Sequence, residues 1–270
     1  MRSNLFWIPQ SFNDLLKDDC AKLSVQCAGA MAIARLKRSQ YFLREAQKKY
    51  GVAVLGLAQQ WQTGGSAGQD TTFIAILFLC FFEILACYDA SCPKAWRAHL
   101  YGLGSLFEQR GEEYLRTEFG ARIFRQTRSQ IIVNALQTKV SVSGVFKSLP
   151  DCRSVPTRFG KADEADMLLV RLCEIQARIS KPYSKEELRL DASSLEKDLR
   201  KWAQSSSPCW TYSEHQNKHQ SSHWWDSRCD IYLSTFTMHV WNKVRASRIV
   251  LDGIMRGLPP LQAADGSVLY

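Results

Sequence analysis

From residue 11 to residue 256 the apolar side chains recur mostly at spacings of three and four, the period of one helix face. A chain patterned this way can bury its apolar surface only by laying helices against one another. Residues 11–35 carry Phe12, Leu15, Leu16, Leu23, Cys27, Ala30, Met31 and Ala34 in this rhythm, with Ser11 and Asp14 as a start signal. Residues 39–61 form a second amphipathic stretch, and TGGSAGQ breaks it. Asp70 is placed to cap a third helix over 71–89, whose run FIAILFLCFF (73–82) is apolar on all sides. That run ends at Glu83, short of the 18 or so uncharged residues of a transmembrane span, so it predicts a buried core helix.

Further helices are expected over 96–111, 115–139, 163–180, 184–204 and 227–256. Pro93 stands near the first turn of the first of these. In the 115–139 helix, Phe119, Ile123, Phe124, Ile131, Val133 and Leu136 are the expected inward residues. Ser184 with Glu187 makes a capping box, Tyr183 and Leu188 stand at the staple positions, and Ser193 with Glu196 offers a restart. In the last helix Tyr232, Phe236, Val240, Val244 and Leu251 share one face. Segments 141–162 and 205–226 are rich in turn residues and predict loops, with a short strand over Val140–Val145 as an option in the first, and 258–270 predicts a frayed tail. The expected fold is all-α, a multi-helix array of stacked antiparallel helix pairs in one globular domain over 1–270. At 270 residues, 46% hydrophobic, the chain is long enough for a large core.

The opening MRSNLFWIPQSF has no signal-peptide pattern, so secretion is not expected. The cysteines number nine, an odd count set largely among apolar residues, and predict free thiols. No two of them form a C-x-x-C pair, which removes the zinc patterns built on it. The net charge of +9 is concentrated partly at Arg35, Lys37, Arg38, Arg44, Lys48 and Lys49, opposed only by Glu45. Such a run can touch phosphates without reading sequence, but with no aromatic interleaving it is expected to be a solvated helix face.

Three motifs suggest chemistry. Gly64-Gly65-Ser66-Ala67-Gly68 has the G-x-S-x-G form of a nucleophile elbow, but a helix end rather than a strand precedes it, which predicts an inter-helix linker. His215, His219 and His223 would align as metal ligands on a helix, yet serines, glutamines and an asparagine surround them and predict a surface loop. In WRAHLYGLGSLFEQRG (96–111), Trp96, His99 and Gly102 share a helix face, and no carboxylate or nucleophile pairs in sequence with the histidine. Packing is the expected role, with Gly102 allowing close helix approach. No catalytic, cofactor or metal residues are assigned.

The order of these elements is informative. FFEILACYD, then WRAHLYGLGSLFEQRG, then FRQTRSQIIVNAL, resembles the middle, effector region of fungal binuclear zinc-cluster transcription factors. Glu83, Trp96, His99, Gly102, Arg110 and Gly111 stand in that family's order. LRKWAQSSSPCW followed by HVWNKVRASRIVLDGI is similar to its later signature, at Trp202, Trp241, Asn242, Arg245 and Arg248. The resemblance runs from about residue 15 to 256 and treats these positions as structural. It implies an all-α regulatory domain, in the nucleus, controlling metabolic or secondary-metabolite genes through protein contacts or an inducer. Its partners would be transcription machinery or a full-length factor, with room for a small-molecule inducer and a homodimer. The six-cysteine zinc cluster of that family is not in this sequence, so specific DNA binding by this chain alone is not expected, and no cofactor or membrane contact is implied. The alternative is an all-helical enzyme or small-metabolite-binding protein of a biosynthetic pathway, its pocket lined by Tyr, Trp and Cys. No acid-base pair or phosphate loop stands at a recognisable spacing, so an enzyme is not expected.

Overall fold

A computed structural model describes residues 17–63, 69–87, 94–142, 144–148, 160–179, 181–182, 184–205, 208–216, 228–258, 261–262 and 268–269. The fold is all-α. Eight α-helices lie among these residues: α1 (Asp19–Lys37), α2 (Gln40–Gln62), α3 (Asp70–Ala86), α4 (Lys94–Arg116), α5 (Glu118–Thr138), α6 (Gly160–Ile179), α7 (Lys185–Gln204) and α8 (Thr235–Gly257). The described residues group into two compact units. One holds α1 to Asn134 of α5 with the 3-10 turn Gly144–Phe146, and the other holds Ala135–Val142 and everything from α6 onward. No described helix is long and apolar enough to cross a membrane.

In the first unit α3 is the central fact. Thr72 to Leu77, Leu79, Cys80, Phe82 and Glu83 are all buried, because a helix apolar all round must be covered all round. α1 packs against both α2 and α3, and α4 packs on α3. Cys27, Ala28 and Met31 of α1, Ala46 and Ala53 of α2, and Leu79 and Phe82 of α3 form one core cluster. Phe107 of α4 meets Phe73 at 4.8 Å, Phe124 at 5.5 Å and Phe146 at 5.6 Å between ring centroids, which ties α3, α4, α5 and the 3-10 turn together.

Local signals fix the helix ends. Asp18 caps α1 through a 2.7 Å bond from the Ala21 N–H, and Ser39 and Ser184 cap α2 and α7. Asp70 does not cap α3. Gln69 holds that position without a side-chain bond, and Asp70 instead accepts from the Tyr114 hydroxyl at 2.9 Å, a partner 44 residues away. α1 begins at Asp19, so Phe12, Leu15 and Leu16 and the start signal Ser11–Asp14 fall outside the described residues, as do Pro93 and Tyr183. The restart at Ser193 is not used, and α7 runs through it.

Two expected loops hold structure. The strand option at Val140–Val145 is replaced by the 3-10 turn, which buries Phe146, and α6 begins at Gly160. Within 205–226, Pro208–Trp210 makes a 3-10 turn and Tyr212–Gln216 is strand β1, paired antiparallel with β2 (Arg228–Tyr232). Tyr232 is therefore a strand residue opposite Tyr212 rather than part of the last helix, which Ser234 starts by accepting from the Thr237 N–H at 3.1 Å. In the expected frayed tail, β3 (Leu261–Gln262) pairs antiparallel with β4 (Val268–Leu269). On α5 the fully buried apolar residues are Ala121, Ile123, Phe124, Ile132 and Ala135, with Phe119, Ile131, Val133 and Leu136 half-buried beside them.

In the second unit α6, α7 and α8 pack on one another, with Leu169, Leu172, Leu195, Leu199, Val244 and Leu251 buried. Lys243 of α8 and Asp166 of α6 form a buried ion pair.

Glycines divide by surroundings. At the α4–α5 junction, Thr117 Oγ1 donates to the Tyr114 carbonyl at 2.8 Å and accepts from the Gly120 N–H at 3.0 Å. A Cβ on Gly120 would fall 2.0 Å from the Tyr114 carbonyl oxygen, whereas one on Gly102 would meet nothing within 4 Å. Gly102 is thus not a close-approach site. Gly120→Ala is expected to destabilise the protein by about 1–3 kcal/mol, as forced overpacking does. Gly102→Ala, in mid-helix, is expected to stabilise it by about 0.5–1 kcal/mol. Urea unfolding of the two variants checks the opposite signs.

Candidate functional site

The apolar covering of α3 encloses one carboxylate, Glu83, and titratable groups from α2 and α4 stand beside it. Tyr50 of α2 stacks on Phe82 at 4.2 Å between centroids, which sets its hydroxyl beside Glu83 and the α4 imidazole of His99. The Glu83 charge acts on that hydroxyl, and His99 Nε2 lies 3.1 Å from the same oxygen, the imidazole tautomer setting which of the two donates. One tyrosine thus links three helices.

Electrostatics leave this site without a ready nucleophile. Burial and then the hydrogen bond and charge of Glu83 push the Tyr50 hydroxyl well above its ordinary range. Burial raises the Cys27 thiol to about 12 and raises Cys80 as well, with the Glu83 charge adding to both. Burial also holds the His99 imidazole below its ordinary 6.5, and the Glu83 charge offsets only part of that. Near neutral pH both thiols and the phenol stay protonated and the imidazole is uncharged.

Several other residues of the 96–111 stretch have partners within the fold. Trp96 is buried and its Nε1–H donates to Gln130 Oε1 at 3.1 Å, while Arg97 Nε donates to Asn134 Oδ1 at 3.1 Å. Arg110 lies over the Tyr114 ring at 4.8 Å. Gly111 adopts φ 71°, ψ −174°, a conformation essentially reserved for glycine, and breaks α4 into two helical pieces. These residues make the stretch a helix contact and a stop.

The later signature forms a cluster of its own in the second unit. Trp202 and Trp241 meet edge to face at 5.1 Å, and each indole N–H donates to a backbone carbonyl, Lys161 at 2.9 Å and Trp210 at 2.7 Å. The Arg245 guanidinium lies 5.0 Å from the Tyr212 ring, 5.5 Å from Trp241 and 5.7 Å from Tyr232. It donates to Asp230 Oδ2 at 2.6 Å, to the Tyr232 hydroxyl and, at 3.4 Å, to Asn242 Oδ1. Arg248 and Arg200 grip Glu196 at 2.7 and 2.8 Å. Burial of Glu196 pushes its carboxyl up, but those arginine hydrogen bonds outweigh it and hold the pKa below the ordinary 4.5. Sequence alone gave no sign of Tyr50, Asp230 or Glu196 as partners. Each pairs with its motif residue across at least 15 residues of chain, which no local pattern encodes.

Residues 17–155 match the fungal specific transcription factor domain. The chain belongs to that family. The match takes in Glu83, Trp96, His99, Gly102, Arg110 and Gly111, whereas the later cluster lies beyond it. No curated protein and no solved structure matches the chain. As a fungal specific transcription factor domain, it is a transcription-regulatory module.

Other sequence candidates fall elsewhere. Gly64 to Gly68, His219 and His223 lie outside the described residues, and His215 is an exposed strand residue facing Cys229 across the β1–β2 pair, so helical spacing does not apply to it. Among the described cysteines, Cys20, Cys27, Cys80 and Cys229 are free thiols. Arg35 is not a phosphate-facing side chain. Its guanidinium donates to the Leu85 carbonyl at 2.6 Å and the Ala86 carbonyl at 2.5 Å, satisfying the C-terminal end of α3.

Because His99 has a folded pKa below its unfolded value, the unfolded chain binds the proton more readily. Its contribution to stability is intact above pH 6.5 and is lost as pH falls below that value toward the folded pKa. Thermal melts between pH 7.5 and 5 are expected to show a falling midpoint in that direction, with a shallower fall in His99→Gln.

Proposed function

We propose that this domain regulates transcription in the nucleus through contacts with other proteins or with an inducer, and that its targets are metabolic or secondary-metabolite genes. The observation that carries the proposal is the family match over 17–155. Support for a non-enzymatic role comes from the Glu83 site, where Tyr50 and His99 are hydrogen-bonded to each other and the thiols and phenol are held protonated. A helical regulatory domain acts by favouring one of two packings when a ligand or partner binds that packing better.

The chain alone is proposed not to read DNA sequence. No C-x-x-C pair is present in the sequence, and the exposed cations of α1 and α2 can supply only phosphate contacts, which are sequence-independent and fade with salt. Gel shifts over a salt series, with random duplexes and with inverted CGG repeats, are expected to show no preference at physiological ionic strength. A preference for the repeats that survives such salt would overturn this part. Transcript profiling after deletion of the gene tests the regulatory role. A coherent set of metabolic transcripts is expected to change and to recover on re-expression, while an unchanged transcriptome together with metabolite turnover by the purified protein would assign it to enzymes instead.

A further inference from the structure

α2 is an outer helix with two dissimilar faces. Leu43, Ala46, Tyr50, Ala53, Val54 and Leu57 turn inward to the core cluster. On the opposite side Tyr41, Arg44, Lys48, Val52 and Leu55 all stand exposed, Tyr41 at 68%, Val52 at 52% and Leu55 at 72%. At 3.6 residues per turn these five fall within an arc of about 80° and extend about 21 Å along the helix. They form a single stripe, apolar at both ends and cationic in the middle. Arg44 and Lys48 have no ion pair among the described residues, and the α1–α2 corner beside Tyr41 adds exposed Leu36, Lys37 and Arg38.

The geometry points to this stripe as the docking face for an acidic amphipathic helix of a partner protein, an inference that rests on the proposed action through protein contacts. Four exposed cations against the half-buried Glu45 ask for an anionic partner. The order along the stripe selects among anions. A nucleic-acid backbone would satisfy Arg44 and Lys48 but leave Tyr41, Val52 and Leu55 in water. A lipid surface would take up those three only by drawing the cations between them toward the acyl region. A second copy would set Arg44 and Lys48 against their own kind across a two-fold axis. A helix with apolar residues at its ends and carboxylates in between matches all five, and about four turns cover the length.

The test uses the full chain and a fluorescein-labelled synthetic helix of about 16 residues, apolar at its ends, with Asp and Glu on the same face between them. Fluorescence anisotropy at about 0.15 M salt is expected to show saturable binding, at least tenfold tighter than for a peptide of the same composition in scrambled order. Arg44→Glu with Lys48→Glu is expected to weaken binding tenfold or more, and so is Val52→Gln with Leu55→Gln. All four positions are exposed, so unchanged melting curves show that neither variant acts through unfolding. Equal binding of the scrambled peptide, or unchanged affinity in either variant, overturns the inference. So does tighter binding of a random DNA duplex or of phosphatidylserine vesicles through the same residues, or a dimer in sedimentation that Val52→Gln with Leu55→Gln dissolves. Transcript profiling reads the regulatory role independently, so failure of this face leaves that role standing.

Discussion

α3 has almost no polar side to offer water, and the first unit is organised around that constraint. Its buried residues run nearly without interruption from Thr72 to Glu83, so α1 and α4 must lie against it and α1 must in turn bring α2. Covering it creates a second demand, since Glu83 goes inside with its neighbours and an isolated buried carboxylate is costly. Tyr50 of α2 stands near that carboxylate, and its hydroxyl is hydrogen-bonded with His99 of α4. The polar contact therefore follows from the packing that surrounds it.

The second unit satisfies a similar demand with different chemistry. Arg245 projects from α8 between Tyr212, Tyr232 and Trp241, where ring faces favour its charge and Asp230 pairs with it. The β1–β2 pair matters here as the support that brings Tyr212 and Tyr232 to opposite positions. Tryptophans 202 and 241 each place an indole N–H on a backbone carbonyl, which lets large rings be buried without a stranded donor. In both units large aromatic side chains hold polar partners within a helical pack.

Much of the fold was legible because helix formation is a local event. The bounds of α2, expected over 39–61 and found at Gln40–Gln62, follow from spacing, a serine cap and a glycine-rich break. The capping box at Ser184 was legible for the same reason. Asp70 shows the limit: it has the right chemistry for a cap, yet a tyrosine hydroxyl from α4 competes for its oxygen and takes it. Gly102 shows the reverse, since its spacing from Trp96 and His99 suggested close approach and the structure puts open space beside it. The β1–β2 pair was not legible in a polar, serine-rich segment, because its anchors are aromatic contacts to α8 rather than a pattern within the strands.

Taken by itself, the sequence determined that this chain is helical, that the 73–82 run must be buried, and that the stretch Trp96 to Gly111 falls in a region with a family's order. Those properties depend on residues within a few turns of one another, where spacing alone sets which side chains share a face. Only the tertiary structure decided that His99 meets Tyr50, that Arg35 serves the end of α3 rather than a phosphate, and that Arg245 lies among three rings. Each of these joins groups far apart along the chain or on different elements, and a hydrogen bond or ring contact forms only when packing brings its two ends within a few ångströms.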